Sequence, residues 1–147
     1  MIGTVRSLSL KLERGAKSVF KEVVQVTPHG FAGDYHTGTS RRRQILLLSG
    51  KLLDDFKLQP GDIYENAVID GMDVMSLREG QELRLGTARV AVTIPCEPCT
   101  HMDRIRPGLQ EALQACRGMF VRVLEPGVVR VGDTLREEPT RQNPLPL

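Results

Sequence analysis

The sequence lacks the long apolar runs that mark membrane-spanning and exported proteins. Its longest clear apolar run is the short stretch Ile45 to Leu48, far below the ~20 residues that a bilayer span needs. The first fifteen residues, MIGTVRSLSLKLERG, contain no continuous apolar segment of the kind found in secretory signals. We therefore expect a cytoplasmic protein with no membrane partner.

The chain also has few aromatic residues and almost no excess of positive charge, which argues against a nucleic-acid partner. There is no Trp, aromatics make up 4% of the chain, and 20 basic residues face 18 acidic ones for a net charge of +2. Base-stacking surfaces need aromatic side chains, and phosphate backbones attract strongly basic proteins. The length of 147 residues favours one domain. We predict a single domain over residues 1–136 and a flexible tail over 137–147, where prolines are frequent.

Short β-rich segments separated by glycine and proline dominate the chain and predict a mainly β fold with helices. Strands are expected at 19–27 and 43–49, and hairpins at 82–94 and 119–136, the second turning at Pro126-Gly127. Helices are expected at 49–58 and 106–118. This α+β pattern predicts a closed or nearly closed β-barrel with one to three short helices at its rim.

Three cysteines in a chain with no export signal indicate thiol or metal chemistry rather than a disulfide framework. Cys96, Cys99 and His101 fit three interpretations: half of a zinc site, a redox pair, or one working thiolate. A structural zinc site needs a second half-site, and a redox pair needs a helix N-terminus. Pro95 and Pro98 stiffen the segment where a strand ends, which suits a single working thiol. Local features leave these interpretations open; Cys116, on the apolar stripe of its helix, is expected to be a core residue.

The segment HGFAGDYHTGTSRRRQ, residues 29–44, combines three glycines, two histidines and three arginines. Glycines permit a tight loop whose N–H groups converge, and arginine forks bind oxyanions. The segment therefore predicts an anion site at Arg41, Arg42 and Arg43, although a solvated charged turn is the alternative. Farther along, Asn66 is expected to hold a loop or to contact a ligand through its amide.

An ordered set of short motifs along the chain resembles the MOSC domain, a family named for the C-terminal part of molybdenum cofactor sulfurases. No single motif is decisive, but their order from about residue 30 to residue 135 is fairly specific. The motifs are Gly33-Asp34-x-His36-x-Gly38, Arg43-Gln44, Glu65-Asn66 with Gly71, Pro98-Cys99, Arg117-Gly118, and Val129-Arg130-x-Gly132-Asp133.

The resemblance implies a barrel that binds the molybdenum cofactor, a pterin (molybdopterin) that carries a phosphate and a dithiolene. It assigns Cys99 as the catalytic residue and metal ligand, and leaves Cys96 as a bystander. It implies that Arg41, Arg42 and Arg43 bind the pterin phosphate. The further cofactor-binding residues that it implies are His36, Asn66, His101 and Arg117.

The resemblance also implies an oxidoreductase that reduces N-hydroxylated compounds. The chain carries no matching pyridoxal-phosphate module, and three cysteines cannot complete a four-thiolate cluster. No pyridoxal phosphate is therefore expected on it, and electrons are expected from a donor protein of the ferredoxin or flavin reductase type. The alternative is a non-catalytic carrier that delivers sulfur or the cofactor to an accepting enzyme. A third interpretation, independent of the family, is a small zinc-stabilised barrel.

Overall fold

Eleven short strands are the main regular elements of residues 2–140, the part of the chain that the computed structural model describes. Apolar residues alternate with polar ones along several of them, as expected for strands with one buried face. The strands are β1 Ile2–Leu10, β2 Val19–Lys21, β3 Val23–Thr27, β4 Gly30–Phe31, β5 Ile45–Ser49, β6 Ala67–Asp70, β7 Glu82–Leu85, β8 Ala88–Pro95, β9 Met119–Glu125, β10 Gly127–Arg130 and β11 Thr134–Glu138. The helices are α1 Gly50–Phe56, α2 Met102–Ile105 and α3 Leu109–Ala112, with a 3₁₀ turn at Val74–Ser76.

Seven of the strands close into a barrel, which confirms the predicted fold class. The ring runs β11-β7-β8-β9-β5-β6-β1, and β1 pairs again with β11 to complete it. Neighbours are antiparallel except for β5 and β6, which are parallel. Outside the ring, β2 pairs with the end of β1, and β10, β3 and β4 form a smaller sheet. Closure leaves the seven strands with few free edges.

A charged network joins β7, β8 and β11 and includes Glu138, which lies beyond residue 136. Arg84 Nε donates to Glu138 Oε1 at 2.8 Å, and Arg89 donates both to Glu138 and, at 2.7 Å, to Glu82 Oε1. Glu138 is thus part of β11, so the expected tail boundary at residue 137 was placed too early. Residues 141–147 of that expected tail lie outside the described part of the chain.

Several predicted elements differ from those observed. The strand expected at 19–27 is two strands, and the hairpin expected at 119–136 is wrong because β9 pairs with β5 and β8 while β10 pairs with β3. A Cβ on Gly127 would lie 2.6 Å from the Ala88 backbone nitrogen, so this residue serves a close crossing over β8 rather than a turn. The helix expected at 106–118 is reduced to α3, since Gly108 and Ala115 have positive φ values of 83° and 61°.

Strand β5 is buried on both faces, which explains the apolar run in its sequence. Ile45 and Leu47 belong to the core inside the barrel. Leu48, on the outer face, belongs to a second cluster formed with α1, α2 and α3, which also includes Leu53, Met102 and Leu113. Side chains of a strand alternate between faces, so Leu46 shares the outer face. The helices therefore cover one part of the outer face of the barrel.

No helix within residues 2–140 has the length and apolarity that crossing a bilayer requires.

Replacing Leu48 with Ala tests whether the outer cluster stabilises the fold. Leu48 is 0% exposed, whereas Leu12, on a loop, is 59% exposed. Leu48→Ala is expected to lower the free energy of unfolding by about 2–5 kcal/mol because it leaves a cavity beneath the helices. The matched control, Leu12→Ala, should change it by less than about 0.5 kcal/mol. Urea titration measures both values, and similar small losses in the two variants would contradict the two-sided burial of β5.

Candidate functional site

A cleft of about 1170 Å³ lies on the outer face of the barrel, next to the part that the helices cover. We call it the thiol cleft. Leu46 of β5 and Phe120 of β9, which are paired across the two strands, lie in its lining. Four stretches of the chain form its walls: residues 11–20, 35–44, 60–66 and 96–105. They are mainly loops held by the rigid barrel, an arrangement typical of binding sites.

The lining of the thiol cleft is strongly basic. Among the described residues, six Lys and Arg side chains line it, and the only acidic residue there is Asp62. The six are Lys11, Arg14, Lys17, Arg43, Arg104 and Arg117. A concave surface lined by one sign of charge concentrates counter-ions, so the cleft favours an anionic ligand although the whole chain is nearly neutral.

Both cysteines of the C-x-x-C motif line the thiol cleft, in different environments. Strand β8 ends at Pro95, and the Cys96 backbone N–H then donates to the Gly118 carbonyl at 2.8 Å. Cys96 is half-buried, whereas Cys99 is exposed. Cys99 is therefore the thiol that is open to a ligand or to another protein.

A buried guanidinium contacts the inner thiol. Arg117 is 4% exposed; its Nη1 donates to Cys96 Sγ at 2.6 Å and its Nη2 donates to the Ile63 carbonyl. Within residues 2–140 its Nε has no hydrogen-bond partner. Burial raises the pKa of the Cys96 thiol above its ordinary value, and the positive charges of Arg117 and Arg43 limit that rise. Cys96, which the family resemblance leaves as a bystander, therefore contacts a basic side chain directly.

Glu65, beside the cleft wall, carries a buried carboxyl group. It is 2% exposed, and its Oε2 accepts the Gly61 N–H at 2.5 Å, while Oε1 lacks a hydrogen-bond partner in the described part of the chain. Burial raises the pKa of this carboxyl to about 7, although the hydrogen bond from Gly61 and the charge of Arg117 oppose the rise. Glu65 belongs to one of the family motifs, but the sequence gives no sign that its carboxyl is buried, because burial depends on the folded loop around it.

Lys11 is held at the cleft by an aromatic contact that the sequence does not predict. Its Nζ lies 3.7 Å from the centroid of the Tyr64 ring, a cation–π geometry. Tyr64 has a φ of 67°, in the left-handed region that non-glycine residues seldom adopt. Burial lowers the pKa of Lys11, and the charge of Asp34 opposes this. The contact joins distant parts of the chain, so no local signal marks it.

Six of the predicted site residues line the thiol cleft: Cys99, His36, Arg43, Asn66, His101 and Arg117. The side-chain contacts of these residues differ. His36 Nδ1 lies 3.3 Å from Asp34 Oδ2, and His101 Nδ1 lies 3.5 Å from Arg104 Nη1. The Asn66 amide instead bonds to backbone, with Oδ1 accepting from Leu46 N at 2.9 Å and Nδ2 donating to Ser9 O at 3.2 Å. Asn66 thus joins β5 to β1, a structural role.

Arg41 and Arg42 do not line the thiol cleft. They line a second cleft of about 710 Å³, together with Glu79 and Arg122. The Arg42 carbonyl accepts a hydrogen bond from Thr93 Oγ1 at 2.5 Å, which fixes this part of the loop against β8. The expected three-arginine site is therefore divided, and of the three only Arg43 lines the thiol cleft.

The zinc interpretation has no ligand set in residues 2–140, where no three His, Cys, Asp or Glu side chains come together in a metal-binding group. Cys116 packs against the helical cluster, as expected of a core residue, and is half-buried.

The family comparison agrees with the order of motifs in the sequence. The model of the MOSC domain family matches residues 34–136. This span includes Cys96, Cys99, Glu65 and Arg117, but it excludes Lys11, Arg14 and Lys17. No curated protein matches the chain significantly.

Similar solved structures share the whole fold at low sequence identity. The YuaD protein from Bacillus subtilis has a TM-score of 0.78 and 20% identity, with 97% of this chain and 98% of that chain covered. YiiM from Geobacillus stearothermophilus has a TM-score of 0.76 and 19% identity, covering 92% and 75%. YiiM from Escherichia coli has a TM-score of 0.70 and 18% identity, covering 95% and 72%. These similarities extend the shared fold beyond the span that the family model matches.

The raised pKa of Glu65 predicts a pH-dependent stability. Because the folded chain binds the proton more tightly than the unfolded chain, the free energy of unfolding should fall as pH rises from about 4.5 through about 7. Glu65→Gln keeps an acceptor for Gly61 and removes this slope. The variant should gain on the order of 3 kcal/mol relative to wild type between pH 4 and pH 8. Urea titrations across this range measure the difference, and parallel pH profiles would contradict a buried carboxyl.

Proposed function

The chain is a member of the MOSC domain family, and on that premise we propose that its thiol cleft binds the molybdenum cofactor, with Cys99 as the metal ligand. The proposed activity is the reduction of small N-hydroxylated compounds with electrons from a separate protein. The observation that carries this proposal is an exposed cysteine in a cleft lined by six basic side chains and a single Asp among the described residues.

The residues of the thiol cleft fit the chemistry of this cofactor. A soft thiolate suits a metal that is already bound by sulfur, and Cys99 is open to the cleft. Basic side chains suit the phosphate of a pterin, and Arg43 and Arg117 reach the cleft from different segments of the chain. The buried Arg117 Nε, which has no hydrogen-bond partner within residues 2–140, is a donor that an anionic ligand would satisfy.

The protein contributes binding, orientation and proton supply. When bound, the cofactor supplies a metal centre capable of oxygen-atom and electron transfer. Arg43, Arg117 and Lys11 would hold the anionic group of the cofactor, and Cys99 would hold the metal. Reduction of an N-hydroxyl group to an amine and water consumes two electrons and two protons. His36 and His101 line the cleft and are exposed enough to exchange protons with solvent.

In this proposal the electrons come from a separate protein, since the three cysteines of this chain are fewer than the four thiolates of the usual iron–sulfur cluster. The proposed donor is of the ferredoxin or flavin reductase type. The exposure of Cys99 supports this, since the metal-ligating position is open to another protein.

The same exposure favours a second function, that of a carrier. An accessible Cys99 can hold sulfur as a persulfide, or hold the cofactor, and pass it to an accepting enzyme without turnover of its own. The two functions share the residues of the thiol cleft. They differ in whether the loaded chain reduces a small-molecule substrate.

Stabilisation by phosphate should depend on Arg43 and not on its neighbour Arg42. Phosphate at a hundred times its dissociation constant is expected to add about 2.7 kcal/mol to the free energy of unfolding. Arg43→Ala should remove most of this gain because Arg43 lines the thiol cleft, whereas Arg42→Ala should keep it. Thermal unfolding in phosphate and in sodium chloride of equal ionic strength measures the effect. Equal losses in both variants would count against the assignment to the thiol cleft.

Cofactor retention should depend on Cys99. In a host that makes the cofactor, Cys99→Ser is expected to lose bound molybdenum and the reduction of N-hydroxylated compounds, because a hydroxyl is a poor ligand for a soft metal. Cys116→Ser, the matched control among the helices, should keep both, and Cys96→Ser should keep both within a few-fold. Metal analysis and turnover with a chemical electron donor measure the outcome. Retention of metal and activity by Cys99→Ser would refute the assignment, and wild type with metal but no turnover would favour the carrier.

A further inference from the structure

We propose a further activity for the thiol cleft: Cys96 releases sulfide from a persulfide carried by Cys99. This inference rests on the carrier form of the proposed function, in which Cys99 accepts a sulfur atom. It assigns a chemical role to Cys96.

The chain brings the two thiols together on one short segment of the cleft wall. Cys96 and Cys99 are separated by two residues, and both line the cleft. The segment is anchored at one end by the hydrogen bond from Cys96 N to the Gly118 carbonyl and at the other by the bond from Met102 N to the Cys99 carbonyl, at 3.0 Å.

The environments of the two thiols suit different tasks. Cys99 is exposed, so a sulfur donor can reach it from solvent. Cys96 is half-buried and held against Arg117, whose guanidinium is itself fixed by the Ile63 carbonyl. Burial raises the pKa of the Cys96 thiol, and the Arg117 guanidinium opposes that rise because it donates to the sulfur and favours the thiolate, the form that attacks disulfides and persulfides. An external donor therefore meets Cys99 first, and Cys96 is positioned to act afterwards.

The release step balances in atoms and electrons. The Cys96 thiol gives its proton to solvent, and its Sγ attacks Cys99 Sγ. The bond between the two Sγ atoms forms while the bond from Cys99 Sγ to the outer sulfur breaks, and the outer sulfur leaves with the bonding electrons as hydrosulfide. A separate dithiol reductant later returns two electrons and two protons to the disulfide. The sulfur donor is a polysulfide or a protein cysteine persulfide.

The charge of the thiol cleft favours this leaving group. Hydrosulfide is an anion, and it would be released among the six Lys and Arg side chains that line the cleft. A positive lining stabilises the developing charge and holds the anion near the site of release. The same lining that suits a phosphate thus suits the small anion that the two thiols would produce.

A single-turnover experiment tests the inference on the full chain. The reduced protein is treated briefly with inorganic polysulfide, desalted, and followed without added thiol by a sulfide electrode and by intact mass. Wild type should release one hydrosulfide per chain and lose two hydrogens in mass as the disulfide forms. Cys96→Ser should keep the mass of one added sulfur and release sulfide at least about tenfold more slowly, because only bimolecular attack remains. Cys116→Ser should behave as wild type.

Two results would overturn the inference: a wild-type chain that stays persulfidated until thiol is added, or a Cys96→Ser chain that releases sulfide at the wild-type rate. Urea titration of Cys96→Ser establishes that it is folded. Molybdenum content, measured on the same proteins, separates this inference from the cofactor proposal. Sulfide release from a chain that retains no metal supports the inference and refutes cofactor binding. Metal retention by a chain that keeps its persulfide supports cofactor binding and refutes the inference.

Discussion

The burial of strand β5 on both faces is the constraint on which the rest of the structure depends. Ile45 and Leu47 fill the barrel, so closure of the seven strands is built around them. The outer face is also apolar and must be covered, because exposing it would cost the free energy gained by burial. The helices cover Leu48, whereas Leu46 lies among the loops that form the thiol cleft. The cleft exists because the covering of this face is incomplete.

Two buried polar groups near the thiol cleft have unsatisfied hydrogen-bonding atoms within residues 2–140, which lowers the stability of the fold. Buried groups normally have hydrogen-bond partners, and each exception lowers stability. Within residues 2–140, Arg117 Nε and Glu65 Oε1 have none, and burial holds the pKa of Glu65 at about 7. Such departures are common where a structure is shaped for a ligand or for chemistry. Arg117 links them to the thiols, since it contacts Cys96 directly.

Sequence patterns were sufficient for the fold class, because alternation and turn residues are local properties of the chain. Motif order singled out Cys99, which is exposed and lines the thiol cleft. The patterns gave wrong predictions where contacts between distant parts of the chain determine the local structure. The hydrogen bond from Thr93 to the Arg42 carbonyl divides the arginine run, and no spacing in the run reveals it. The crossing of Gly127 over β8 replaces the expected hairpin. The role proposed for Cys96 rests on its contact with Arg117, which is 21 residues away along the chain.

Anomalous diffraction at the molybdenum edge would locate the metal in crystals of the chain purified from a cofactor-producing host. If Cys99 is the metal ligand, one strong peak is expected in the thiol cleft, adjacent to Cys99 Sγ, with phosphate density towards Arg43 or Arg117. A peak in the second cleft beside Arg41 and Arg42, or a loaded chain whose metal is not bound to Cys99, would contradict it.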